Sequence, residues 1–115
     1  MTLREKQSWF AVLAAQLIEE AGRQGYDVTL GEAWRSPEEA ARLAKAGKGI
    51  KRSLHCDRLA IDLNLFKDGK YLTKTEQYEP LGLWWEAFSP PELKACWGGR
   101  FGDGNHFSIM HGGRK

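Results

Sequence analysis

Leu59-Ala60-Ile61-Asp62-Leu63-Asn64-Leu65-Phe66-Lys67-Asp68-Gly69-Lys70-Tyr71-Leu72 carries the clearest structural signal in the chain. Leu59, Ile61, Leu63 and Leu65 alternate with Ala60, Asp62, Asn64 and Phe66. A period of two places the leucine set against a core and the other set on the opposite face of a strand. Asp68-Gly69 then supplies the residues that a tight hairpin turn favours, so Lys70 to Leu72 is expected to return antiparallel.

Upstream, Asp27 to Arg35 reads as another strand, with Val28 and Leu30 alternating against Thr29 and Gly31. Before it, Leu3, Phe10, Leu13, Ala14, Leu17, Ile18 and Ala21 recur at helical spacing and predict a helix from Leu3 to Gly22. Thr2 and Glu5 have the spacing of a capping box at its start. Ser36-Pro37-Glu38-Glu39 opens a second helix through Ala44, with Ser36 as cap, Pro37 in the first turn and Glu39 closing the box. Thr75 to Phe88 reads as a third helix, broken or started late at Pro80, with Trp84, Trp85 and Phe88 packing and Pro90-Pro91 ending it. Glycines from Gly98 to Gly104 lead to a last strand, His106 to Met110. The expected class is α+β: a small antiparallel sheet with about three helices packed around it.

At 115 residues the chain fits one domain, residues 1–115, with no room for an appended module. Its 17 Lys and Arg against 15 Asp and Glu give a net charge of +2, too mild for a nucleic-acid binder. Lys45, Lys48, Lys51 and Arg52, and later Arg100, Arg114 and Lys115, read as a solvated loop and tail, with an anionic polymer substrate as the alternative. No apolar run approaches the roughly 18 residues of a membrane span, so membrane insertion is not expected. The mixed charges of Met1 to Gln7 do not resemble a signal peptide, which implies synthesis in the cytoplasm and export with outside help. Two cysteines, Cys56 and Cys96, are too few for a disulfide scaffold and read as free thiols.

The chemistry-bearing positions are few. His55 stands seven residues before Asp62, an odd offset that would face them apart on one strand. They converge only if a turn or bulge falls near Cys56 to Arg58. His106 is preceded at three residues by Asp103. Two imidazoles and a carboxylate suit Zn²⁺ and leave a position for water, and a further carboxylate can move protons. Such residues also occur together in many chains with no metal site, so composition alone does not decide the matter.

The local context is more specific. Ser53-Leu54-His55-Cys56-Asp57-Arg58-Leu59-Ala60-Ile61-Asp62 fits S-x-H-x-x-x-x-A-x-D, and Asp103-Gly104-Asn105-His106-Phe107 fits an acid-x-x-H-F ending. Glu32-Ala33-Trp34-Arg35-Ser36-Pro37-Glu38-Glu39 has the aromatic-Arg-Ser-Pro-Glu pattern, and Trp97-Gly98-Gly99 precedes the last histidine. From Leu30 to Phe107 the chain resembles the zinc peptidase family of D-alanyl-D-alanine carboxypeptidases and dipeptidases and phage L-alanyl-D-glutamate endopeptidases. The resemblance implies one Zn²⁺ per chain held by His55, Asp62 and His106, with Asp103 as general base. It implies that Arg35 holds substrate and the charge developing on the attacked carbonyl, and that Ser53 lies in the substrate groove. Trp97, beside Gly98-Gly99, is the better groove candidate among the tryptophans. Three departures stand out. The stretch from Trp97 to His106 is short, the base is Asp where the carboxypeptidases carry Glu, and Arg58-Leu59 stands where many relatives carry Gly.

The resemblance implies a zinc metallopeptidase acting on the peptidoglycan stem peptide as a monomer. It would be an L-Ala-D-Glu endopeptidase, and the expected lack of a signal peptide with the small single-domain size favours phage or prophage lysis, or a phage-particle component. The alternatives are a D-Ala-D-Ala carboxypeptidase, a non-catalytic wall-binding module with a metal, and a cysteine hydrolase using Cys56 or Cys96. His111 is expected to be solvated and inert, Cys56 to pack away from the metal, and Asp57 to be an exposed charge.

Overall fold

The computed structural model describes residues 1–50 and 52–115. Lys51, one of the basic loop residues, lies outside them. The alternating stretch forms β2, Ala60–Lys67, the centre of the sheet. Leu63 and Leu65 are fully buried, as is Leu59 just before the strand. Asp68 and Gly69 both take positive φ, 52° and 77°, and turn the chain into β3, Lys70–Tyr71, antiparallel to β2. The Tyr78 hydroxyl ties both arms of this hairpin together, accepting from Leu65 N and donating to Leu72 O at 2.8 Å.

The other strands are β1, Asp27–Leu30, β4, Ala95–Trp97, and β5, His106–Ile109. The main path runs β1-β2-β5-β4, all pairs antiparallel, with β3 also on β2. Helices α1, Leu3–Arg23, and α3, Glu79–Phe88, pack on the leucine face, while α2, Pro37–Lys45, lies after β1. The class is α+β, with three α-helices and a five-stranded sheet among the described residues. Trp85 is the hub of the core. It is fully buried, meets Phe10 and Phe107 edge-on, and donates its indole N–H to the carbonyls of Cys96 and Ser108. Such bonds let an aromatic with a polar handle sit in an apolar interior.

Local chemistry sets most helix ends. Thr2 and Glu5 form the capping box, and Ser36 Oγ accepts from Glu39 N. Glu39 does not close a second box, because its carboxylate pairs with Arg42 one turn on. The expected third helix divides into a tight turn at Thr75–Tyr78 and α3, with Pro80 in the first turn of the α-helix. Strand β1 stops at Leu30 rather than Arg35, because the chain peels away to cross the end of β2 and cap α2. β4 has no counterpart among the elements expected from the sequence. Its three residues are all buried, so no polar alternation marks it.

Candidate metal centre

A turn brings His55 and Asp62 together. Leu54–Asp57 forms one tight helical turn, capped by Ser53 Oγ accepting from His55 N at 3.2 Å. Arg58 then adopts left-handed φ, 56°, which reverses the chain into β2. The odd offset of seven residues is thereby cancelled, and both side chains reach the same side of the sheet. His106 opens β5 directly opposite Asp62 in the β2–β5 register. Gly98 lies under this strand end. A Cβ there would collide with the Asp103 carbonyl and lie 2.6 Å from His106 Cβ.

Three basic atoms converge. His55 Nε2 lies 3.2 Å and His106 Nδ1 3.6 Å from Asp62 Oδ1, and one ligand atom from each residue falls within 4.8 Å of the others. Asp62 Oδ1 is buried with no aligned hydrogen-bond donor among the described residues. Such a buried acceptor is costly unless another group satisfies it. Ligands on a tetrahedral ion at ~2.0–2.1 Å stand about 3.4 Å apart, so the separations to Asp62 and the N, N, O donor set fit Zn²⁺. Burial pushes the Asp62 carboxyl up, but the adjoining His106 and His55 rings outweigh it and hold it at about 2. It is therefore ionised at neutral pH, as a ligand requires.

These residues lie in a cavity of about 580 Å³, whose lining includes Arg35, Ser53, Leu54, Phe101 and Asp103. Asp103 Oδ2 lies 4.0 Å from His106 Nδ1, on a half-exposed side chain. Its carboxyl sits above the ordinary range because of desolvation, with Asp62 adding to the rise and the His106 ring opposing it. A carboxylate with a raised proton affinity beside a candidate metal centre suits proton transfer. The short loop does not remove Asp103 from the site. Gly102 after the turn at 98–101 takes φ 80°, and Asp103 N bonds back to Gly98 O at 2.9 Å. Beyond this loop, Asp103 also borders a second, polar groove of about 200 Å³ that reaches Tyr71, Lys74 and Asn105. Arg35 is largely buried, and Glu32 Oε1 accepts from its Nε at 2.6 Å.

Trp97 is elsewhere. It is 4% exposed, packs over Gly82 and Gly99, and donates its indole N–H to Gly104 O at 2.8 Å. It lies beneath the Asp103 loop and does not line the cavity, so its expected groove role is corrected to a supporting one. His111 is not a free tail residue. It is partly buried, its Nδ1 lies 3.1 Å from Lys6 Nζ, and its backbone pairs with Arg114. Asp57 is half-buried and ion-paired to Arg114 at 2.8 Å, which also corrects the solvated reading of Arg114. Arg100 pairs with Glu86, whereas Lys48 and Lys115 border the cavity. Cys56 and Cys96 are free, lie outside the His–Asp cluster, and have thiols pushed up by burial. A nucleophilic cysteine needs the opposite shift. Sequence reasoning missed Glu32. The signal available was its place three residues before Arg35 in the helix-capping motif.

The fold and centre thus define an α+β chain with a candidate metal site at the end of its central strand. No protein-family model matches the sequence, and no curated protein matches it. The chain is similar in structure to the Serratia marcescens L-Ala D-Glu endopeptidase ChiX, with TM-score 0.68 and 22% identity over 84% of this chain and 77% of that one. At that identity the likeness establishes a common fold. Among the described residues, no helix is long and apolar enough to cross a membrane.

Proposed function

We propose that residues 1–115 form one catalytic domain, a zinc-dependent peptidase that cleaves the peptidoglycan stem peptide between L-Ala and D-Glu. The observation that carries this reading is the convergence of His55, Asp62 and His106 in a cavity that also holds Asp103. Binding alone needs no such carboxylate, so its presence favours a catalyst over a wall-binding module. Zn²⁺ held by the three residues, one per chain, supplies Lewis-acid chemistry that polarises a carbonyl and makes water easier to ionise. Asp103 accepts the proton of the attacking water and returns it to the departing amine. Arg35, whose Nε and Nη2 both meet Glu32 Oε1 and whose side chain lines the cavity, offers its remaining guanidinium N–H groups to the carbonyl oxygen where charge develops. Ser53 forms part of the wall against which the peptide lies. A second groove bordered by Asp103 offers the stem peptide further surface beyond the cavity, which supports the endopeptidase reading. The name of the structural neighbour, an L-Ala D-Glu endopeptidase, supports the same choice.

The protein acts as a monomer at the cell wall, in phage or prophage lysis or as a component of a phage particle. Mass spectrometry of purified muropeptides, incubated with the protein and zinc and with a chelator as control, tests the reading. New D-Glu amino termini that vanish with chelator are expected. Release of terminal D-Ala would replace the endopeptidase with a carboxypeptidase. Binding without cleavage would leave a wall-binding module.

A further inference from the structure

The segment between β1 and α2 is tied by its backbone to Asp62 on β2 and to His55 in the turn before it. Gly31 N donates to Asp62 O at 2.8 Å, Asp62 N to Glu32 O at 2.9 Å, and Arg35 N to His55 O at 3.2 Å. A Cβ at Gly31 would lie 2.9 Å from Asp62 Cβ, so only glycine permits this approach without displacement. Glu32 is therefore delivered to a fixed place behind His55. Its Oε1 lies 3.8 Å from His55 Nδ1 while accepting from Arg35 Nε at 2.6 Å. Its other oxygen makes no hydrogen bond among the described residues.

His55 is 3% exposed, and its Nδ1 is buried without a partner among the described residues. A neutral imidazole carries one N–H, and the bond that this N–H makes decides which nitrogen is left as a ligand. With the proton on Nε2, it would point at Asp62 and leave a bare Nδ1 facing the Glu32 carboxylate. With the proton on Nδ1, the N–H faces a carboxylate and Nε2 is bare toward Asp62 and His106. The terminal torsion of a glutamate is broad, so a carboxylate oxygen can close the remaining gap by rotation.

We propose that Glu32 is a positioning residue that accepts a hydrogen bond from His55 Nδ1–H, fixes Nε2 as the metal-facing nitrogen, and orients Arg35 with the same carboxylate. This rests on the metal-centre reading above. Loss of an acceptor behind a ligating histidine typically weakens metal binding about 10–100-fold.

The test uses the full chain as wild type, Glu32→Ala, Glu32→Gln and Arg35→Ala. Zinc affinity is measured by chelator competition, the His55 tautomer by ¹⁵N ring shifts in the metal-free protein, and folding by thermal midpoint. Glu32→Ala is expected to weaken zinc about 10–100-fold and to shift the His55 ring away from the Nδ1–H form. Glu32→Gln, which keeps an oxygen acceptor and serves if the alanine variant does not fold, is expected to lose less affinity and retain the tautomer. Arg35→Ala, which keeps the Glu32 carboxylate, is expected to weaken zinc less than Glu32→Ala does. Wild-type affinity and tautomer in a folded Glu32→Ala variant would overturn the inference, as would equal zinc loss in Glu32→Ala and Arg35→Ala; where the alanine variant does not fold, undiminished zinc affinity in Glu32→Gln would overturn it. A wild-type chain that takes up no zinc would overturn the metal-centre reading itself, a result distinct from one confined to the variants.

Discussion

Trp97→Phe separates a supporting role from a substrate-binding one. The substitution removes the indole N–H that meets Gly104 O at 2.8 Å in a buried setting. A buried carbonyl left without its donor costs about 1–3 kcal/mol. The smaller ring also leaves space over Gly82 and Gly99, adding roughly 1 kcal/mol on the scale of buried-group deletions. The sum, about 2–4 kcal/mol, corresponds to a fall in Tm of roughly 8–16 °C for a domain of this size. Differential scanning calorimetry with a matched urea titration measures the loss independently of tryptophan fluorescence. Because Gly104 adjoins Asp103, kcat should also fall, with KM on a muropeptide little changed. A Tm within a degree or two of wild type together with a raised KM would refute the burial argument and return Trp97 to the groove.

Asp103→Asn keeps shape but removes the proton acceptor, so the variant should bind one zinc per chain, melt as wild type, and lose about 10²–10⁴ in kcat. Zinc analysis and turnover on one preparation check this; loss of zinc with activity would make Asp103 a ligand. His55→Ala, Asp62→Ala and His106→Ala should each take bound zinc well below one per chain and abolish hydrolysis, read by elemental analysis after dialysis. Full zinc in His106→Ala would bring in a ligand outside the convergent cluster. At the left-handed Arg58, whose guanidinium lies 4.9 Å from the Trp34 ring centroid, glycine should be tolerated within about 1 kcal/mol. Arg58→Val should cost roughly 1–3 kcal/mol by urea denaturation, because a β-branched residue resists positive φ; equal stability of the two variants would count against a conformational requirement there.

The sequence by itself determined those features whose causes lie within a few residues. The leucine alternation from Leu59 specified a half-buried strand, and Asp68-Gly69 its hairpin, because side-chain period and permitted φ are local properties. Thr2 with Glu5, and Ser36 before Pro37, marked helix starts because a cap bonds to amides within one turn. The spacing of His55 and Asp62 even required the turn that Arg58 makes.

Tertiary structure alone decided where partners distant in the chain meet. β4 exists because β5 and α3 cover Ala95 to Trp97, not because those residues favour a strand pattern. Trp97 reads equally well as groove or core until Gly82 and Gly99 are seen to receive its ring. Asp57 looks solvated until Arg114 reaches it from 57 residues away. Glu32 is one acid among many until β1–β2 pairing carries it behind His55. In each case the deciding energy comes from contact and desolvation between segments remote in sequence, and neither local propensity nor periodicity records which segments those are.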